Sequence, residues 1–116
     1  MLKINSNEDI KKLISDNEII IIYFSNKVCG ACDVIRNKVE SILEAYPKVK
    51  LIDIDGEEQI ELAALNNVFS FPLLILYVDG KEVIRVGRNV NLLELENTIK
   101  RYYDLVFYNI KKEKSF

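Results

Sequence analysis

Cys29 and Cys32 are the only cysteines in a chain of 116 residues. They stand in a Cys-x-x-Cys arrangement within Val28-Cys29-Gly30-Ala31-Cys32. Two thiols at that spacing can staple their own fold, hold a metal, or exchange disulfides with another molecule. On a helix the spacing sets the two α-carbons one turn apart, inside the roughly 4.4–6.8 Å that a disulfide spans. The ring closed is tiny, so it removes little entropy from the unfolded chain, and stapling is a poor use of the pair. Zinc takes four ligands, and the chain has no histidine; a metal site would need carboxylates or the thiolates of a second copy.

The surroundings of the pair favour exchange. A β-branched run over 18–24 precedes it, and helical periodicity follows. Cys29 is therefore expected at the N-terminus of a helix, where unpaired N–H groups and the macrodipole favour an anion. A thiolate there has its pKa drawn below the free value of about 8.5. Lys27 adds a positive charge nearby, and Gly30 leaves the sulfur of Cys29 uncrowded. Cys32, one turn further in, is expected to be more buried and to keep a higher pKa. That asymmetry suits Cys29 as the attacking thiol and Cys32 as the one that resolves the mixed disulfide.

The elements that must position the pair follow from pattern. Ser6 with Asp9 three residues on is a variant capping box, and Ile10, Leu13 and Ile14 continue at helical spacing, which predicts a helix over 7–16. Val34, Ile35, Val39, Ile42, Leu43 and Tyr46 predict a second, running from Cys29 to Tyr46 and stopped by Pro47. Residues 49–54 alternate as a strand, and residues 57–66 carry a third helix. "FPLLILYVDGKEVIRVG" reads as a hairpin turning at Asp79-Gly80. A last helix over 91–107 has an aromatic stripe at Tyr102 and Tyr103, best read as core packing. Residues 2–5 suggest a short edge strand. The expected class is α/β, three parallel strands followed by an antiparallel hairpin, in a mixed four- to five-stranded sheet with helices on both faces. Residues 1–107 form one domain in this reading and 108–116 a polar, basic tail.

Composition narrows the function. Apolar residues make up 49 % and charged residues 29 %, an ordinary globular balance with enough apolar surface for one core. A net charge of −2 and a pI near 5.2 argue against an electrostatic grip on nucleic acid or anionic lipid. The charged N-terminal stretch "MLKINSNEDIKKLI" has no apolar signal core, and no apolar run is long enough to span a bilayer, so a cytoplasmic location is expected. No nucleotide, flavin or haem motif is visible. The expected cofactor is none, with electrons supplied by a protein or small thiol.

Strand, Cys-x-x-Cys, helix, then Phe71-Pro72 opening an apolar strand, then an Asp-Gly hairpin closed by Gly87: this order, from about residue 5 to 105, resembles the thioredoxin family. The resemblance implies a thioredoxin fold and a thiol-disulfide oxidoreductase that reduces protein disulfides through Cys29 and Cys32. It implies a cis Pro72 beside the two sulfurs, a Phe71 backbone that hydrogen-bonds a bound peptide, and an uncharged rim of Val28, Gly30, Ala31 and Gly87. It also implies protein disulfide substrates and a thioredoxin reductase as electron donor; the protein is expected to act as a monomer. Four positions depart from the family pattern. Val28 stands where a tryptophan is usual, and Ala31 replaces the proline between the cysteines. Tyr23 holds the place, six residues before Cys29, of a buried aspartate, and Leu51 that of its lysine partner. A thioredoxin-fold interaction module with little redox turnover, or a disulfide oxidase or isomerase, would tolerate these changes too.

Overall fold

The run Ile19–Ser25 is buried along its whole length, because it sits in the middle of the molecule with side chains packed on both faces. In this computed structural model, which describes residues 4–108, that run is β1. Around it lie β2 (Lys50–Asp55), β3 (Leu73–Val78) and β4 (Lys81–Val86), in the order β2-β1-β3-β4. The four described helices are α1 (Asn7–Asp16), α2 (Gly30–Leu43), α3 (Ile60–Leu65) and α4 (Leu92–Phe107).

The two-residue period of β1 sorts its side chains between two cores. Ile19, Ile21 and Tyr23 face α2 and α4, meeting Ile35, Val39, Leu95, Ile99 and Tyr103. Ile20, Ile22 and Phe24 face the other way, against Ile10 of α1 and Leu62 and Ala63 of α3. Helices thus cover both faces, as the sequence predicts. Each fully buried Ile or Leu contributes roughly 1.5–3 kcal/mol. The core, rather than a small disulfide ring, holds the fold.

β1 and β2 run parallel, with Tyr23 beside Asp53. β3 pairs antiparallel with both β1 and β4. The expectation of three parallel strands is corrected to two among the described residues. Residues 4 and 5 are not in a strand, and 2 and 3 lie outside the described residues. Ile4 is nonetheless buried, and its carbonyl accepts from Gln59 Nε2 at 2.6 Å.

Local chemistry sets the helix ends. Ser6 caps α1 by accepting the Asp9 N–H at 3.2 Å. Asp9 reaches back to the Asn5 N–H at 2.9 Å, one residue before the cap itself. α3 begins later than expected. The Asp55 carboxylate accepts the N–H groups of Glu57 and Glu58 at 3.0 and 3.1 Å, and this side-chain turn competes with the helix. The hairpin turns at Asp79 and Gly80, both with positive φ (49° and 81°), the geometry of a type I′ turn that Asp-Gly favours. In α4 the aromatic stripe is core: Tyr103 is buried, packs its ring on Tyr46 and Phe107, and accepts the Lys48 N–H through its hydroxyl. Tyr108 caps α4; the rest of the expected tail lies outside the described residues.

Candidate active site

Where β1 ends at Ser25, a short loop turns the chain into α2. The Val28 N–H donates to Asn26 Oδ1 at 3.2 Å, a turn closed by a side chain that steers the loop into the helix. Cys29 is the N-cap of α2 with extended backbone. Its sulfur accepts the N–H of Cys32 at 3.1 Å, so it satisfies one of the helix's orphan donors. The two cysteines are joined as a disulfide with α-carbons 5.2 Å apart.

Their settings differ. Cys29 is half-buried, with Val28 beside it 87 % exposed and open space where a Gly30 side chain would lie. Cys32 is wholly buried. Lys27 faces Glu58 at 3.7 Å, so its charge is shared rather than directed at Cys29 alone.

Beneath Cys32 lies a polar network that sequence reasoning missed. Tyr23, on the α2 side of β1, donates its hydroxyl to the Cys32 carbonyl at 2.7 Å. The Arg36 guanidinium sits 5.6 Å from the Tyr23 ring centre. It is held by Asp53 Oδ2 at 2.5 Å, Asp33 Oδ1 at 2.7 Å and Ser25 Oγ at 3.0 Å. Ser25 closes the ring by donating to Asp53 Oδ1 at 2.8 Å. Burial pushes the Tyr23 phenol up to about 12; Arg36 opposes this, and Asp53 and Asp33 add to it. A phenol held that high is neutral at physiological pH and serves as a donor, not as a base. Burial alone would lower the Arg36 pKa, but Asp33 and Asp53 outweigh it and raise it above its ordinary value. The one signal available in sequence was that Arg36 lies four residues after Cys32, on the same helical face.

The other side of the site is built at the start of β3. The Phe71–Pro72 peptide is cis. The Phe71 ring lies over Gly56, where any Cβ would overlap its Cε1 and Cζ atoms. The Gly56 N–H in turn donates to the Ser25 carbonyl at 2.8 Å. A Cβ on Gly87 would stand 3.5 Å from the Pro72 carbonyl oxygen, so Gly87 and Pro72 are neighbours as expected. Arg88, next to Gly87 in the chain, donates Nη2 to the Phe71 carbonyl at 3.1 Å. The Cys29 loop, Gly56, Phe71-Pro72 and Gly87 all lie at the end of the sheet where the parallel strands finish, the usual place for a site in an α/β sheet. Among the described residues no group of three or more His, Cys, Asp or Glu is placed to hold a metal, and no helix is long and apolar enough to cross a membrane.

A disulfide at a helix N-terminus, with one cysteine partly exposed and the other enclosed, defines a dithiol-disulfide exchange protein. Comparison with known proteins gives the family. The thioredoxin family model matches residues 1–101. The thioredoxin-like protein YdfQ of Bacillus subtilis is 31 % identical over 105 residues, covering 90 % of this chain and 94 % of that one. Thioredoxin of Chlamydia trachomatis is 30 % identical, with 86 % and 94 % covered. Among solved structures, mitochondrial thioredoxin 3 of Saccharomyces cerevisiae superposes with a TM-score of 0.71 at 27 % identity, over 81 % of this chain and 88 % of that one. A structure described as the thiol-resolving mechanism of yeast mitochondrial 1-Cys peroxiredoxin via glutathione/thioredoxin systems has a TM-score of 0.75 at 25 % identity, over 87 % and 94 %. The chain belongs to the thioredoxin family, has its fold, and is a thiol-disulfide oxidoreductase.

Proposed function

We propose that this oxidoreductase works as a cytoplasmic reductant of protein disulfides, with Cys29 as nucleophile and Cys32 as resolving thiol. The observation that carries the assignment is the Cys32 N–H donating to the sulfur of Cys29, which is partly exposed where Cys32 is buried. In the reduced protein the same donor and the helix dipole stabilise a Cys29 thiolate. That thiolate attacks one sulfur of a substrate disulfide, and the other substrate sulfur leaves as a thiolate and takes a proton. Cys32 then loses its proton to solvent and attacks Cys29. The mixed disulfide breaks, and the second substrate thiol departs. Two electrons have passed to the substrate and the Cys29–Cys32 disulfide remains.

Val28, Gly30, Ala31, Phe71, Pro72 and Gly87 form the surface on which the substrate lies, the Phe71 backbone pairing with it as an added strand. A thioredoxin reductase restores the dithiol, so the protein carries electrons from that enzyme to its substrates in a compartment that keeps thiols reduced. It acts as a monomer. The yeast peroxiredoxin system named above makes a peroxiredoxin-type thiol protein a reasonable substrate class.

The test is to trap the intermediate. With Cys32→Ser, incubation with a disulfide-bonded protein substrate should give a covalent adduct of one enzyme and one substrate, read by intact mass spectrometry and released by dithiothreitol. With Cys29→Ser no adduct should form. An adduct through Cys32 in the Cys29→Ser protein, with none in the other, would reverse the two roles.

A further inference from the structure

At the sulfur end of the sheet three cations stand near the site, and two of them are neutralised. Lys27 faces Glu58, and Arg36 is held by Asp33 and Asp53. Arg88 has no carboxylate partner among the described residues; its guanidinium rests on the Phe71 carbonyl through Nη2 at 3.1 Å. A guanidinium carries five N–H donors in a planar fork, so one bond to a carbonyl leaves most of its capacity unused.

The carbonyl it touches is also significant. Phe71 lies two residues before β3, outside the ladder that begins with Leu73 opposite Phe24. Among the described residues the Phe71 N–H has no hydrogen-bond acceptor. A free backbone donor next to the start of a strand, at the edge of a redox site, is what strand addition uses. A chain pairing with Phe71 would run beside Arg88, whose guanidinium is bonded to the Phe71 carbonyl.

Building on the proposed reduction of protein disulfides, we infer that Arg88 determines specificity: it selects disulfides with a carboxylate close to the attacked cysteine, keeping its bond to the Phe71 carbonyl while a second edge of the fork takes the carboxylate. The preferred substrates are acidic disulfide-bonded segments. Basic ones are repelled.

Three synthetic peptides test this. Each is closed by one disulfide, and they are identical except for Asp, Ala or Lys beside the cysteine. Thiol release is followed with the full chain, with Arg88→Ala and with Arg88→Lys. For the unaltered protein kcat/KM should be about two- to five-fold higher for the Asp peptide than for the Ala peptide, the range for one exposed ion pair, and lowest for Lys. The difference should lie in KM, because the contact is equal in ground and transition states. It should shrink at high salt. In Arg88→Ala the Asp-to-Ala ratio should fall to about one, and Arg88→Lys should recover part of it. Equal rates for the three peptides, or a ratio unchanged in Arg88→Ala, overturn the assignment. A lowered Tm in Arg88→Ala with the ratio intact would make Arg88 a structural latch, which also overturns it. Release from none of the peptides would instead sink the reductase reading beneath it.

Discussion

Cys29 and Cys32 share one helical turn and one disulfide, yet their surroundings are built from opposite materials. Around Cys29 the chain is open: an exposed Val28 and a Gly30 with nothing near it. Around Cys32 it is closed, the carbonyl tied by Tyr23 and the helix anchored to β1 and β2 through Arg36, Ser25 and Asp53. The difference teaches that the family's usual buried acid is not the only way to organise the inner half of such a site. Here a neutral donor and a paired cation occupy that ground, and they fix geometry rather than accept a proton.

The largest effect separates the two halves outright. Cys29→Ser should reduce turnover of a disulfide substrate to the uncatalysed background, measured as substrate thiol release, with the fold unchanged by circular dichroism. Turnover persisting in that variant would break the division between an outer, attacking sulfur and an inner, resolving one.

A smaller effect perturbs the outer half alone. In Gly56→Ala the new Cβ must displace the Phe71 ring. Overpacking of this kind costs about 1–3 kcal/mol, or roughly 4–8 °C in Tm for each kcal/mol in a domain near this size. KM for a peptide substrate should rise with the shift of Phe71, while the rate at which Cys32 closes the disulfide should hold.

The smallest effect falls on the inner half. Tyr23→Phe removes the hydroxyl bonded to the Cys32 carbonyl and should cost about 0.5–1.5 kcal/mol, lowering the urea midpoint at neutral pH. It should slow the resolving step and leave alkylation of Cys29 unaltered. Its pH dependence is distinctive. Free tyrosine titrates near 10, whereas in the folded protein burial holds Tyr23 protonated to about 12. Between those values the folded state binds more protons, so the stability Tyr23 contributes is complete below pH 10 and is lost as the pH rises toward 12. The gap in urea midpoint between the two proteins should therefore change from pH 8 to pH 11; a constant gap would refute the burial of that hydroxyl.

How much of this was legible in the sequence follows from distance along the chain. α1, α2, the Asp79-Gly80 turn and the Cys-x-x-Cys cap are local, and their periodicity and turn chemistry lie within a few residues. Ser25, Arg36 and Asp53 meet only through the parallel register that sets Tyr23 beside Asp53, which no local pattern supplies. The late start of α3 had a local cause that was passed over: Asp55, between the expected strand and the expected helix, holds the next two N–H groups. Arg88 was hidden for the opposite reason. Its meaning comes from Phe71, seventeen residues earlier, and only the fold brings the two together.

β4 lies at one edge of the described sheet, and its character has a consequence for crowded conditions. The ladder to β3 slips between Leu76 and Tyr77, and the strand bears Lys81, Glu82 and Arg85, with Arg85 gripping Glu82 across that irregular stretch. A kinked, charged edge makes a poor template for a foreign strand. The outer margin of the sheet therefore resists joining copies of the protein, or other chains, into fibres.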